Sequence, residues 1–430
     1  MKKLIGYGAC LIMLLSGSTT DHQQAKSETA HVAYPAYTHL VMAGYQGWFA
    51  AEGDDSHRGW YHLKGGRCGG FYPGCATVDF FPDMREYTKT YPTAFSYPDG
   101  SPVRMYSAYD EETTDLHFKW MKEYGLDGVH MQRFVGEIKP SNPSGRRHFN
   151  HVLSNALKAA KKYGRTISVM YDLSGCRSED IAYVAEDIKA LNEEFKLFDE
   201  QENPTFLHHH GKPLISIWGV GFNDNRKYSI QDVARLVDKL QAEGQVSILL
   251  GVPYYWRSLD RDTENDPALH ELIKKADVIM PWAVGRYNGR SYQQIAGAVL
   301  KGDVDWCRKN GVDYVPLVFP GFSWGNMHQD SAIYNAIPRE DGDFLWKQVV
   351  GAKTAGAQSL YVAMFDEIDE GTAIFKCARQ KEVPLNGQMK FMGIADHLPT
   401  DHYLWLTGQA ATWFHGQKQY GAQQPVRSAE

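Results

Sequence analysis

The sequence predicts a single (β/α)8 barrel with a long insertion after its first strand. Eight short apolar runs alternate with helical patterns between residues 39 and 365, and this alternation is typical of parallel strands joined by helices. The span fits the usual barrel size of about 250 residues plus insertions. A doubly wound open sheet is the main alternative. No glycine-rich phosphate loop follows the first run, which weighs against that alternative.

The predicted strands are apolar runs bounded by polar or turn-forming residues. They cover residues 39–49, 128–134, 166–172, 213–218, 246–253, 277–282, 314–320 and 360–365. The predicted helices cover residues 111–124, 147–163, 178–195, 230–243, 266–274, 291–310 and 342–355. Residues 50–109, called the insertion below, are rich in glycine, proline and aromatic residues. The tail from Ala378, which contains Trp405 and Trp413, is expected to pack on the outside of the barrel.

The N-terminus has the pattern of a bacterial export signal. Two lysines follow Met1, residues 4–15 are mostly apolar, and Ser16-Gly17-Ser18 supplies small residues for cleavage. The apolar run is too short for a comfortable membrane span, and Ser18 stands where a lipidated cysteine would be needed. We therefore predict an export signal at 1–20, a flexible leader at 21–37, one catalytic domain at 38–420 and a disordered tail at 421–430. The expected location is periplasmic or extracellular, with lipid anchoring less expected.

Composition narrows the choice of partners and cofactors. The net charge of −6 argues against a nucleic-acid partner, because phosphate binding favours a basic face. Cys68 and Cys75 flank a turn-rich segment and are expected to form a local disulfide in an exported chain. The run 208–210, three consecutive histidines, precedes the fourth strand and is expected to be a surface loop at the end of the barrel remote from the chemistry. No metal or other cofactor is expected, since no metal-binding motif or compelling calcium spacing occurs.

Aromatic and polar side chains gather where the predicted strands end. Catalytic residues of such barrels lie at the carboxyl ends of the strands, and flat rings with dense hydrogen-bonding groups suit a polyhydroxylated ligand. We expect an oligosaccharide or polysaccharide to be the partner. The predicted substrate-binding residues are Tyr45, Gln46, Trp48, His130, Gln132, Arg133, Tyr171, Asp172, Trp218, Tyr254, Tyr255, Trp282, Phe322, Trp324 and Asp366.

The eighth strand ends in Asp366, Glu367, Asp369 and Glu370. A buried strand seldom ends in such a group for stability alone, because unpaired buried carboxylates are costly. Glycosidic bonds are commonly cleaved by two carboxyl groups, one donating a proton and the other acting as base or nucleophile. We predict Glu367 and Glu370 as this pair. Asp366 is expected to be a supporting hydrogen-bond acceptor, whereas loop capping is the favoured role for Asp369.

The segment 365–372, Phe-Asp-Glu-Ile-Asp-Glu-Gly-Thr, resembles the catalytic segment of glycoside hydrolase family 99, the endo-α-mannosidases and endo-mannanases, which commonly reads Asn-Glu-Trp-His-Glu-Gly. Segments 44–49 and 170–175 resemble bacterial proteins grouped with families 71 and 99. The resemblance implies a (β/α)8 barrel that acts with retention of configuration through a 1,2-anhydro sugar. It implies that Glu367 is the base acting on the sugar 2-hydroxyl and Glu370 the acid. Ile368 and Asp369 replace the Trp and His of the motif, which affects the expected substrate more than the mechanism.

The resulting hypothesis is an exported retaining glycoside hydrolase that cleaves an α-linked glycan such as an α-mannoside. An α-1,3-glucan hydrolase is an alternative within the same class. A non-catalytic glycan-binding barrel would share the aromatic cleft but need neither glutamate, and a metal-dependent hydrolase would lose activity on chelation.

Overall fold

A closed ring of short parallel strands forms the centre of the structure, a computed structural model that describes residues 1 and 33–427. The strands of the whole structure, of which β2, β3 and β6 lie outside the ring, are β1 (Val41–Tyr45), β2 (Tyr91–Ser96), β3 (Pro102–Met105), β4 (Gly128–Phe134), β5 (Thr166–Asp172), β6 (His208–His209), β7 (Lys212–Trp218), β8 (Ser247–Pro253), β9 (Val278–Trp282), β10 (Asp313–Tyr314), β11 (Leu317–Val318) and β12 (Leu360–Val362). The order in the main sheet is β10-β9-β8-β7-β5-β4-β1-β12-β11, and all of these neighbours pair in parallel.

The seventh predicted strand closes the ring, although it is split into two short pieces. Its first piece, β10, pairs with β9, and its second piece, β11, pairs with β12. Between them, Val315 N donates to Ile279 O at 2.9 Å and Tyr361 N donates to Pro316 O at 3.1 Å. The predicted (β/α)8 barrel is therefore confirmed, with its weakest pairing at the seventh strand.

Helices cover the outside of the ring and connect its strands. They are α1 (Glu111–Tyr124), α2 (Val135–Ile138), α3 (Pro143–Tyr163), α4 (Ala182–Phe195), α5 (Ile230–Glu243), α6 (Ala268–Ile273), α7 (Tyr292–Asn310), α8 (Gly325–His328), α9 (Asp343–Ala355) and α10 (His402–Phe414). Local signals determine several of their ends. A capping box between Ser229 and Asp232 begins α5, and glycines in the left-handed conformation end α1, α3, α5, α7 and α9.

The insertion lies against the mouth of the barrel, at the carboxyl ends of the strands. It contains the antiparallel hairpin β2–β3 and the predicted Cys68–Cys75 disulfide. The backbone amides of Asp79 and Phe80 both donate to Ile368 O at 3.0 Å. The Asp79 carboxylate accepts from Gly325 N at 2.8 Å and Asn326 N at 2.7 Å. The insertion therefore supports both the acidic segment after β12 and the loop after β11.

The C-terminal segment packs on the outside of the barrel, as the tail composition predicts. Trp413 of α10 stacks on Trp346 of α9 with ring centroids 5.7 Å apart. The sequence predicts a disordered tail at 421–430, but residues 421–427, the part that the structure describes, contact the helices. Trp346 Nε1 donates to Gly421 O at 3.1 Å, and Arg427 pairs with Asp401 at 2.6 Å. These contacts hold residues 421–427 against the helical layer.

The other chain end also packs earlier than the predicted boundary at residue 38. Tyr37 is buried and donates its hydroxyl to Leu360 O at 3.2 Å, so the predicted flexible leader is wrong where it overlaps residues 33–37. The export signal, apart from Met1, and leader residues 21–32 lie outside the described residues. Within the described part of the chain, the helices are all too short or too polar to cross a bilayer.

Candidate active site

Strand alternation decides which predicted residues face the inside of the barrel. On β4, the His130 ring lies 3.2 Å from Ser216 Oγ, and Gln132 Nε2 donates to the Tyr361 hydroxyl at 3.0 Å. Arg133, one position further, points outward and is hydrogen-bonded to Asp187 of α4. Successive side chains on a strand point to opposite faces, so the even-numbered positions of β4 line the interior and Arg133 contacts the helices.

Glu367 lies five residues after the end of β12, the eighth strand of the ring, and is held by two donors. Its carboxylate accepts from Thr372 Oγ1 at 2.6 Å and from the side-chain amide of Gln46. Gly371, with a φ of +66°, reverses the chain so that Thr372 reaches back to Glu367. Burial raises the pKa of Glu367 well above its usual value, the charges of Glu370 and Asp369 raise it further, and the two donors oppose this rise.

Glu370 differs from Glu367 because its carboxylate accepts no hydrogen bond from any described residue. It is partly exposed, and its backbone carbonyl accepts from Ser323 N at 2.9 Å. Burial, followed by the charges of Asp369 and Asp172, raises the pKa of Glu370 from 4.5 to about 8. Because the charge of Glu370 raises the pKa of Glu367, the two carboxyl groups lose their protons in two separate steps. The hydrogen bonds from Gln46 and Thr372 stabilise the charged form of Glu367.

The other two acids of this segment are buried and have structural partners. Both oxygens of Asp366 accept backbone amides, from Gln46 at 2.7 Å and Gly47 at 2.9 Å, and burial raises the pKa of Asp366 to about 7. Asp369 Oδ2 lies 3.7 Å from Nδ1 of His62 in the insertion. The acidic segment is thus joined to the first strand loop on one side and to the insertion on the other.

A buried arginine stabilises the end of the acidic segment without neutralising it. Arg339 Nη2 donates to the carbonyl oxygens of Gly371 at 2.9 Å and Ala373 at 2.7 Å. Its guanidinium stacks over Phe80 of the insertion, 4.2 Å from the ring centroid. Because Arg339 binds backbone carbonyls, it forms no salt bridge with the neighbouring carboxyl groups among the described residues.

Partly exposed aromatic rings lie at the mouth on two parts of the strand ring. Trp218 of β7 and Trp282 of β9 meet edge to face with centroids 5.1 Å apart. Phe322 and Trp324, which follow β11, lie 4.9 Å apart. Trp48, which is buried, stacks on the partly exposed ring of His62 at 3.8 Å. The partly exposed rings offer flat apolar surfaces at the carboxyl ends of the strands, the kind of surface on which a sugar ring stacks.

Eight predicted substrate-binding residues keep positions compatible with that prediction. Asp172 and the four rings just described at strand ends 4, 6 and 7 are partly exposed. Gln46, Trp48 and Gln132 are buried but adjoin the acidic segment or the floor of the mouth. The full group is Gln46, Trp48, Gln132, Asp172, Trp218, Trp282, Phe322 and Trp324, and their contact with substrate stays a prediction.

Three predicted contact residues point away from the cleft, and their assignment is corrected. The Tyr45 hydroxyl lies 2.9 Å from Nδ1 of His117 on α1. Tyr171 donates to Asp187 Oδ2 at 2.8 Å, and Arg133, the third of these residues, forms a salt bridge with the same carboxylate. All three belong to the layer between the strands and the helices, where they stabilise the barrel.

Four further predicted contacts are too buried for this role. His130 faces the interior but lies deep in the barrel between the rings of Tyr37 and Tyr361. Asp366 is 1% exposed and bonded to the backbone. Tyr254 is buried against Tyr287, and Tyr255 is covered by the Arg261 guanidinium, 3.3 Å from its ring centroid. Strand-end position alone did not distinguish these residues from cleft residues.

Sequence reasoning missed His62 and Thr372. Thr372 follows the acidic segment and bonds to Glu367, but nothing in the sequence shows that the chain reverses at Gly371. His62 lies in the irregular insertion, where no periodicity indicates the direction of a side chain. A partly exposed imidazole between Trp48 and Asp369 places His62 within the same cleft.

The three consecutive histidines do not form the predicted surface loop. His208 and His209 form β6 and are buried, and only His210 is exposed. Ligand atoms of His209, His210 and Asp313 lie within 4.8 Å of one another at the end of the barrel remote from the mouth. Tyr37 N donates to His209 Nδ1 at 3.2 Å, which places the proton of the neutral ring on Nε2, 3.1 Å from Asp313 Oδ2. A histidine that binds a metal through one ring nitrogen donates a hydrogen bond through the other. In His209 the other nitrogen, Nδ1, accepts a hydrogen bond, so His209 does not fit this role.

Similarity to known structures supports the fold. No family model matches the chain, and no curated protein matches it. Two structures of the GH99 endo-alpha-mannosidase from Bacteroides thetaiotaomicron superpose with TM-scores of 0.60 and 0.59, at 16% and 15% identity. The matches cover 89% and 88% of this chain and 99% and 98% of the other. A glycoside hydrolase-like protein matches with a TM-score of 0.51 at 12% identity, over 77% of this chain and 92% of its own. The chain therefore has the fold of these glycoside hydrolase structures.

Proposed function

We propose that this protein is a retaining glycoside hydrolase that cleaves an α-linked glycan, with Glu370 as acid and Glu367 as base. The observation that carries the proposal is that two glutamates, Glu367 and Glu370, lie three positions apart after the eighth strand, at the mouth of the barrel. Both glutamates have raised pKa values, caused first by burial, and neither forms a salt bridge with a lysine or arginine among the described residues. A glycan-binding barrel requires no such pair, and no observation favours that alternative.

The proposed reaction uses the substrate's own 2-hydroxyl group as nucleophile. Glu367 accepts the 2-hydroxyl proton as O2 bonds to the anomeric carbon, while Glu370 donates its proton to the departing glycosidic oxygen. This gives a 1,2-anhydro sugar and a protonated Glu367. Water, deprotonated by Glu370, then attacks the anomeric carbon, and Glu367 returns its proton to O2. The net result is hydrolysis with retention of configuration.

This route needs a sugar whose 2-hydroxyl is trans to the leaving group, as in an α-mannoside. The fold similarity to endo-α-mannosidase structures supports the same substrate class. In an α-glucoside the 2-hydroxyl is cis to the leaving group, so an α-1,3-glucan hydrolase would need another nucleophile. We therefore favour α-mannosides.

Measurement of released reducing ends from α-mannans, α-glucans and N-glycans tests the proposal. We expect α-mannoside cleavage by the wild type and its loss in Glu370→Gln. A matched control is Glu271→Gln, an exposed glutamate on α6, which should leave the rate unchanged. No cleavage of any glycan by the folded wild-type protein, or full activity in Glu370→Gln, would refute the proposal.

We further propose that the protein acts outside the cytoplasm, on the basis of its N-terminal residues alone. Expression of the full chain in a bacterial host, followed by fractionation and mass determination, tests this. We expect a chain shortened near residue 20 in the periplasm or medium. A full-length chain that stays in the cytoplasm would contradict it.

A further inference from the structure

A cavity separate from the candidate active site lies between the insertion and the chain that follows the acidic segment. Its volume is about 540 Å³, and its walls come from residues 82–85, 97–101 and 378–382. None of these residues belongs to the candidate active site. Ligand pockets commonly measure about 300–1,000 Å³, so this cavity is large enough for a short oligosaccharide.

Backbone hydrogen bonds hold the two walls of the cavity together. Asp83 N donates to Lys376 O at 2.9 Å, and Ala378 N donates to Phe81 O at 2.9 Å. The rim is a tight turn, in which Tyr97 N donates to Ser101 O and Gly100 N donates to Tyr97 O, both at 2.9 Å. The cavity is therefore built from connected backbone and does not depend on the orientation of one loose side chain.

The lining combines an aromatic ring with charged groups of both signs. Tyr97 is partly buried, so its ring is held in place while part of it stays accessible. Asp83 is paired with Arg85, and Glu382 is paired with Arg379. Burial raises the pKa of Tyr97, and the charges of Asp83, Asp99 and Glu382 raise it further, which agrees with three carboxylates around one ring.

Two polar side chains of the lining face solvent, since Tyr97 is partly exposed and Lys381 is exposed. Within residues 33–427, neither the Tyr97 hydroxyl nor the Lys381 ammonium group forms a hydrogen bond or a salt bridge with the protein. Asp99 uses only Oδ1, which accepts from Ser101 N at 2.9 Å and Ser101 Oγ at 2.6 Å. A ligand can therefore obtain one donor from Lys381, one acceptor from Asp99 and a ring face from Tyr97.

We propose that this cavity is a second carbohydrate-binding site, which holds a neutral stretch of the glycan whose backbone is cleaved at the mouth. A ring face together with donors and acceptors suits the apolar and hydroxyl-bearing faces of a sugar. Asp83 and Glu382 are paired with arginines, and the two charges left without an ion pair, on Asp99 and Lys381, have opposite signs, so the lining selects neither an anionic nor a cationic ligand. The choice of glycan rests on the proposed function; the site itself rests on the cavity.

Affinity electrophoresis in gels that contain soluble α-mannan tests this site. All proteins carry Glu370→Gln, so that the polymer is not degraded. Addition of Tyr97→Ala should weaken the apparent affinity by about threefold to tenfold, which corresponds to loss of one stacking contact. Tyr97→Phe, which keeps the ring, should weaken it less, and Lys381→Ala provides a second variant if Tyr97→Ala fails to fold. Gels with pectate, an anionic polymer, should show no retardation that depends on Tyr97.

The outcomes separate this site from the proposed function. Retardation that is unchanged by Tyr97→Ala and Lys381→Ala but is lost in Trp218→Ala would overturn the second site and leave the cleft intact. Absence of retardation in the parent would also overturn it, and wild-type hydrolysis would still establish the proposed function. Retardation that depends on Tyr97, in a protein whose wild type cleaves no glycan, would support the site and refute the enzyme.

Discussion

Buried carboxylates occur both at the mouth of the barrel and in the layer between strands and helices, but the carboxylates of the two regions have different hydrogen-bond partners. In the outer layer, Asp187 is bonded to the guanidinium of Arg133 and to the hydroxyl of Tyr171. At the mouth, Glu367 receives only the neutral donors of Gln46 and Thr372, and Glu370 has no donor among the described residues. Buried charges in stable structure are usually paired. The unpaired charge at the mouth therefore indicates function, and the paired charge indicates stability.

Because the two regions differ in this way, substitutions in them should affect different properties. Changes at the mouth should reduce turnover without loss of stability. Changes in the outer layer should reduce stability while folded molecules keep their activity.

The largest expected effect is on catalysis at the mouth. Glu367→Gln should lower kcat by about 10³-fold, because the amide cannot accept the proton of the sugar 2-hydroxyl. Turnover is measured by reducing-end release and folding by circular dichroism. Thermal unfolding should occur at the wild-type temperature or above it, and a large loss of stability would place Glu367 with the structural carboxylates.

The next effect is on stability in the outer layer. Arg133→Leu should lower the free energy of unfolding by about 3–5 kcal/mol, since Asp187 would be left buried without its cation. Urea unfolding measures this loss. The double variant Arg133→Leu/Asp187→Leu should recover part of it, and kcat per folded molecule should be close to wild type. A large fall in kcat with unchanged stability would return Arg133 to the cleft.

A smaller effect concerns the dependence of stability on pH. The folded protein keeps the Glu370 proton up to about pH 8, whereas an unfolded chain loses it near the ordinary value of 4.5. Between these values the folded state binds more protons, so its stability falls as pH rises. Glu370→Gln should therefore be more stable than wild type by about 1–2 kcal/mol at pH 8 and equal to it at pH 4. Equal unfolding curves at both pH values would show that Glu370 has an ordinary environment.

The smallest effect concerns Asp172, whose charge contributes to the raised pKa of Glu370 after burial and Asp369. The activity should decline as pH rises through about 8, where the acid loses its proton. Asp172→Asn should move this decline to lower pH, because a negative charge that raises the pKa of the acid is removed. The measurement is the pH dependence of kcat for the variant and for the wild type. A shift of the decline to higher pH would contradict the predicted effect of the Asp172 charge on Glu370.

Much of the barrel was predictable from local patterns. The predicted bounds of β4, β5, α1 and α5 coincide with those observed, because apolar runs and helix caps are encoded within a few residues. The seventh strand was less predictable. Its pairing is divided between two neighbours, β9 and β12, and no local pattern records such a division.

The candidate site was predictable in part. The acidic segment was evident because four carboxyl groups follow a buried strand. Tyr171 and Asp172 were both assigned to the cleft, yet neighbours on a strand face opposite ways. Alternation could have separated them once one direction was known. His62 lies in an irregular segment without periodicity, so no comparable signal existed for it.

The sequence by itself determined the order of strands and helices, the disulfide loop and the acidic end of the eighth strand. These features depend on contacts between residues close in the chain. Only the tertiary structure decided which carboxyl groups are neutralised, which rings reach the mouth, and that His62 lies beside Asp369. Those outcomes depend on burial and on charges brought together from distant segments, and the free energy of a buried charge is determined by the partners that surround it.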